Sequence, residues 1–202
     1  SHRMVWRYSP ILVSDRYTVE HHLRYFEVFA KKLEGFTSQC RISFLDMYPK
    51  IEQLMHAKNL RCVPVEQETD LARALCAIGA RHGMEVGGCG TMDLDAAGMA
   101  RKGCIDPAFV EHAIGFGAVD AAATAGRNGC YCMTSVDIGA YDTCANGCVY
   151  CYANAGGLAN APSNLCKYDP DSELLCDRLN PGDTITERKA LRLIIPQTRL
   201  DI

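Results

Sequence analysis

No stretch of this 202-residue chain reaches the roughly 18 uninterrupted apolar residues that a membrane-spanning helix needs. Nor does a charged segment followed by an apolar run open it, as in a secretory leader. Strong charge of either sign is missing too. The formal net charge is -3, which leaves no general electrostatic footprint for nucleic acid or an anionic membrane. There is no internal repeat and no low-complexity run. What remains is a chain 48% apolar and 22% charged, the balance of a globular protein large enough to bury a core.

Cysteine is the exception to this ordinary composition, with twelve residues. With no leader the expected compartment is the cytoplasm, where clustered cysteines are metal ligands or redox groups more often than disulfides. Ser1-His2 has the look of residues left by cleavage of an expression tag, and Met4-Val5-Trp6 then begins with no lead-in, as though the chain started inside a larger domain.

Periodicity predicts alternating strands and helices. Met4 to Arg7 reads as a buried strand ended by Ser9-Pro10, since proline cannot continue a central ladder. Thr18 is placed to cap a helix whose Val19, Leu23, Phe26, Ala30 and Leu33 recur at helical spacing, with Gly35 as its stop. His21 and His22 are neighbours on that helix and cannot share a face, so structural roles are expected. Arg41 to Leu45 is a second strand with Asp46 at its C-terminal end, where ligands bind in α/β sheets and where an Asp also closes turns.

Helices are expected over Pro49 to Ala57 and over Glu66 to His82, the latter with an inner stripe of Leu71, Ala74, Leu75 and Ile78 beside a core Cys76. Met84 to Gly87 is a third strand that delivers Cys89. An irregular segment leads to Gly103-Cys104, and Asp106-Pro107 starts a further helix. Ala118 to Gly129 reads as a loop before Cys130-Tyr131-Cys132. Met133 to Ala140 is expected as a fourth strand running into a cysteine-rich loop. Beyond Asn154 the only expected element is Ala190 to Ile195, and Cys166 and Cys176 are read as spare thiols.

This order predicts parallel βα units: an α/β fold, either an open sheet or a partial or circularly permuted (β/α) barrel, with an irregular C-terminal tail. The expected division is 1-154 for the barrel portion and 155-202 for a tail packed on it.

Tyr141 to Asn154 holds Cys144, Cys148 and Cys151 at Cys-x3-Cys-x2-Cys spacing. Three thiolates on one loop suit a 4Fe-4S cluster or a thiolate-rich zinc site, and three ligands leave one iron of a cubane open. With an aromatic just before the last cysteine, the loop resembles the cluster motif of radical S-adenosylmethionine enzymes. That resemblance implies Cys144, Cys148 and Cys151 as ligands, Tyr150 as the neighbour of the adenine, and S-adenosylmethionine as the molecule on the open iron. The superfamily normally carries this motif near the N-terminus, and circular permutation of a barrel would reconcile the positions.

Val5-Trp6-Arg7-Tyr8-Ser9-Pro10-Ile11-Leu12, Asp15-Arg16-Tyr17-Thr18, Ile42-Ser43-Phe44-Leu45-Asp46, Gly103-Cys104-Ile105-Asp106 and Ser135 to Asn154 resemble the bacterial family called domain of unknown function 1848. The resemblance runs from about Met4 to Asp183. It implies further residues before this chain's start, a C-terminal cysteine cluster similar to the radical enzymes' one, and a grouping of Cys89, Cys104, Cys130 and Cys132. Four thiolates would close a second site, for another 4Fe-4S cluster or zinc. Two departures stand out: Ser9 where the family has Asp, and Gly90-Thr91 after Cys89 where it has an acidic residue.

The expected function is an iron-sulfur protein of the radical type with an unknown substrate. The missing barrel portion or an electron donor would be its partner. The alternatives are a non-catalytic zinc- or cluster-stabilised module, and a nucleic-acid enzyme suggested by a looser similarity to spore photoproduct lyase-type radical enzymes, against which the acidic charge argues.

Overall fold

A computed structural model describes residues 3–89, 93–100, 102–114, 118–119, 131–133, 135–154, 164–187 and 194–195. In chain order these form β1 (Trp6–Ile11), α1 (Val19–Leu33), β2 (Gln39–Phe44), α2 (Pro49–Ala57), α3 (Val65–Arg81), β3 (Glu85–Gly88), α4 (Leu94–Ala97), α5 (Pro107–Ile114), β4 (Ala118–Val119) and β5 (Ile194–Ile195). The chain makes two compact units: Ser1–Asp46 with Leu60–Ser135 and Leu191–Ile202, and Met47–Asn59 with Val136–Ala190.

In the first unit β1, β2 and β3 lie side by side in that order, all parallel. The register sets Trp6 against Cys40, Arg7 against Arg41 and Tyr8 against Ile42, then Cys40 against Val86 and Arg41 against Gly87. Alternate residues point to opposite faces, so Trp6, Tyr8, Cys40, Ile42 and Val86 share one face and Arg7, Arg41 and Gly87 the other.

The apolar face takes the helices. Phe26 and Ala30 of α1 and Leu71, Ala72, Leu75 and Ile78 of α3 are buried in one core with Ile42 and Val86, and Trp6 stacks on Phe26 at 4.6 Å between ring centroids. α1 starts where expected: the Thr18 hydroxyl accepts from the His21 amide at 3.2 Å. Its second histidine is structural. His22 Nε2 donates to the Leu12 carbonyl at 2.7 Å, so Nδ1 accepts from the Tyr8 hydroxyl at 2.8 Å, and burial lowers the imidazole's pKa. Those two bonds hold the ring in its neutral form.

Four expectations are corrected. β1 does not stop before Ser9-Pro10 but runs through it to Ile11, with a register shift between Tyr8 and Ile11. Within the described sheet β1 is an edge strand, and an edge with an irregular ladder tolerates the missing proline N–H. No fourth strand forms over the described part of Met133 to Ala140. Residues 135–140 carry no ladder, Val136 and Ile138 are exposed, and Asp137 Oδ1 instead accepts from the Gly139 amide at 2.8 Å. Such a local side-chain bond competes with strand pairing.

Ala118 to Gly129 is not all loop, since Ala118–Val119 pairs antiparallel with Ile194–Ile195; residues 120–129 lie outside the described residues. The irregular segment before Cys104 contains the short helix α4, capped by Asp93, whose Oδ1 accepts from the Ala96 amide at 2.9 Å. The fold is therefore mixed α/β with a three-stranded parallel sheet. Among the described residues the sheet is open and does not close into a barrel.

The second unit contains α2, with Ile51 and Met55 buried, and an irregular segment built on turns. Cys176 is buried there and Cys166 is exposed. Among the described residues no helix is long and apolar enough to cross a membrane.

Candidate functional site

The polar face of the sheet gathers thiols. β3 runs on into Cys89, whose amide donates to the Ile42 carbonyl at 2.9 Å and extends the ladder by one bond. Two further segments meet beside it. Met133 donates its amide to the Ile105 carbonyl at 2.9 Å, and the Cys104 amide donates to Cys132 Sγ at 3.1 Å. Only glycine fits at 103, because a Cβ there would lie 2.5 Å from the Tyr131 carbonyl oxygen and 2.6 Å from the Cys132 amide nitrogen. Gly103 thus lets the two segments run close enough for residues 28 apart to touch.

Cys104 is the hub. Its side chain is hydrogen-bonded to Cys89, and that bond together with burial and the nearby Cys89 and Cys132 pushes its pKa far up, against the pull of Arg7. Arg7 Nη1 donates to Cys104 Sγ at 2.7 Å, and Nη2 donates to Ser9 Oγ at 3.2 Å. Three of the four cysteines expected to group are therefore together; Cys130 lies outside the described residues. Among the described residues no three His, Cys, Asp or Glu side chains are arranged to hold a metal ion.

The second group, in the other unit, is the Cys144 loop. Its ends are tied by the Asp142 amide donating to the Ala153 carbonyl at 3.0 Å. Gly147 turns the chain with φ +64°, and the Cys151 amide donates to the Cys148 carbonyl at 3.1 Å. Cys148 and Cys151 lie near the Tyr150 hydroxyl, which bonds to Cys148; burial first, then these two thiols, raise the tyrosine pKa. Cys144 is exposed. Asn154 holds its peptide, Nδ2 donating to the Cys144 carbonyl at 2.6 Å, while the buried Asn154 Oδ1 has no partner among the described residues.

Both donor sets suit a thiophilic metal. They consist of cysteines, none of the eleven described ones being in a disulfide. The orphaned Asn154 acceptor is what a loop awaiting another group would show, because buried acceptors are nearly always paired.

Asp46 has different company from the thiols at the sheet face. Its electrostatic neighbours are Glu68, whose pKa burial and Asp46 raise, and Cys62, raised by burial and then by Asp46 and Glu68. Sequence reasoning missed Arg7, Arg41 and Asn154 as site residues. For the arginines the signal was strand alternation, which puts both on the face opposite Trp6, Tyr8 and Ile42. Gly90-Thr91, the second departure noted above, lie outside the described residues.

Searches against curated proteins and against solved structures gave no match. Residues 1–153, a span that takes in both groups of cysteines, match the sequence model described as Domain of unknown function (DUF1848), and the chain belongs to that family.

Proposed function

We propose that this is an iron-sulfur protein whose Cys144, Cys148 and Cys151 hold a 4Fe-4S cluster, with a second thiolate metal site at Cys89, Cys104 and Cys132 together with Cys130. The observation that carries the reading is the meeting of Cys89, Cys104 and Cys132, brought from separate segments onto one face of a parallel sheet. Packing alone gives no reason for three thiols and a guanidinium to share a face. On this reading the sheet belongs to a partial or permuted (β/α) barrel, spanning 1-154 with 155-202 as its tail. The cysteines follow strands or stand on loops, where such folds keep their chemistry.

A cubane with three protein ligands supplies an open iron and one-electron chemistry, and S-adenosylmethionine is the co-substrate this reading assigns to it. The chain's own contributions are simpler. Asn154 fixes the Cys144 peptide, and Tyr150 sets a hydroxyl against Cys148. The carbonyl of Tyr152 is held by Lys50 Nζ at 2.9 Å.

Anaerobic reconstitution followed by iron and sulfide analysis and electron paramagnetic resonance tests the proposal. A reduced-cluster signal that changes on adding S-adenosylmethionine, and that is lost in the Cys144→Ser/Cys148→Ser/Cys151→Ser variant, is the expected result. A signal indifferent to S-adenosylmethionine removes the radical reading. Zinc without iron in protein purified without oxygen favours the second reading, a zinc-stabilised structural or interaction module, to which the same thiols are suited.

A further inference from the structure

Among the described residues Arg41 is the largest fully buried side chain, 1% exposed. A guanidinium is a fixed positive charge in proteins. Its hydrogen bonds all go to uncharged acceptors: Nε to the Gly103 carbonyl at 3.1 Å, Nη1 to the Cys40 carbonyl at 3.0 Å, and Nη2 to Gln39 Oε1 at 2.8 Å. Among the described residues no carboxylate forms an ion pair with it. A buried charge in that state is costly, and proteins pair such charges or neutralise them.

A second cation makes the imbalance worse. Arg7 stands directly across from Arg41 in the parallel register, on a neighbouring strand about 4.8 Å away. Its own partners are Cys104 Sγ and Ser9 Oγ. Like charges set opposite each other in a sheet destabilise it. Thiols and peptides lie beside them: Arg41 binds the carbonyl immediately before Cys104, and Gly87, two residues before Cys89, lies under its guanidinium. Glu85 stands on the same face one register step away, and its carboxylate is paired with Lys102.

We propose that Arg7 and Arg41 are the counter-charges of an anionic thiolate–metal centre at Cys89, Cys104 and Cys132. This rests on the reading that these thiols bind metal. Metal binding displaces the thiol protons, and three thiolates on a divalent ion leave a net charge of about −1. The guanidiniums, which pair with no carboxylate among the described residues, then face an anion. Arg7 acts on Cys104 through its direct hydrogen bond. Arg41 is a positioning residue that fixes the Gly103–Cys104 peptide while contributing buried positive charge.

The test uses the full chain with Cys144, Cys148 and Cys151 replaced by Ser, so that only the sheet-face thiols report. Zinc affinity is read anaerobically by competition with a chromophoric chelator, and thermal midpoints of the metal-free proteins are read in parallel. The parent is expected to take up zinc and to lose it on adding Cys104→Ser. Arg7→Gln and Arg41→Met are expected to weaken binding by about 10- to 100-fold, the usual effect of outer-shell partners, while Arg7→Lys restores most of it. Metal-free Arg41→Met should melt no lower than its parent, because it removes an uncompensated buried charge.

Variants that bind zinc as tightly as the parent would overturn the counter-charge assignment and leave the thiol site standing. So would an Arg41→Met protein that melts lower yet keeps its affinity, since Arg41 would then be a packing residue. A parent that binds no zinc would overturn the thiol-site reading and this inference with it.

Discussion

The two groups of cysteines contrast in how they are assembled. Cys144, Cys148 and Cys151 are close in sequence, yet their loop has no ladder beneath it; Cys144 is exposed, while Cys148 and Cys151 lie near Tyr150. Cys89, Cys104 and Cys132 are far apart in sequence, yet one bond extending β3, one amide-to-sulfur bond and one glycine contact bring them together. Short spacing guarantees that thiols can reach one another. Only scaffold makes them meet without a ligand to organise them.

The contrast can be broken most severely through the scaffold. Leu75 is fully buried in the core under the sheet, so Leu75→Ala should cost about 2–5 kcal/mol in chemical denaturation. Metal uptake at the sheet-face thiols should fall with it. Gly103→Ala is the sharper cut. Its Cβ meets backbone rather than a flexible side chain, so the 131–133 segment must move, at about 1–3 kcal/mol. Zinc affinity at Cys104 and Cys132 should drop while the Cys144 loop keeps its iron.

Gly147→Ala is the mirror experiment. The positive φ at Gly147 costs an L-residue about 1–2 kcal/mol, so loop iron should be lost first and the sheet-face thiols left alone. Iron and zinc analysis of the two glycine variants side by side checks both. If each glycine disturbs both groups equally, the contrast between them is wrong.

The smallest effects are those of pH on the first unit. His82 is bonded to Glu27 and Glu34, and those bonds raise its pKa. Its stabilisation is therefore full below its ordinary value and is lost as pH rises through the raised one. His22 is shifted the other way by burial, so its contribution is present above the ordinary 6.5 and is lost as pH falls through that value and below. Between pH 7.5 and 5.5, about a unit either side of that value, His82→Gln should make the thermal midpoint fall more steeply on acidification, and His22→Gln less steeply. Melting curves at the two values read both slopes.

How legible this was depended on the range of the interactions involved. The longer helices followed from local rules: Thr18 caps α1, and α2 begins at Pro49 and ends at Ala57 as expected, whereas the four-residue α4 was read as irregular. The Cys144 loop was visible because its thiols are close in sequence. The edge position that lets β1 pass through Pro10 was not visible, since it depends on which strands neighbour it. The alternation of Val136 and Ile138 imitated a strand because nothing local told that Asp137 would bond Gly139 instead. Arg41 looked like a strand residue of no special interest until its burial and its uncharged partners were known.

The central claim is that the sheet-face thiols are metal ligands. X-ray absorption at the metal edge, on protein purified without oxygen and carrying Ser at 144, 148 and 151, tests it most directly. The account predicts a bound metal with a first shell dominated by sulfur at about 2.3 Å. A shell of nitrogen and oxygen alone, or no bound metal, would contradict it.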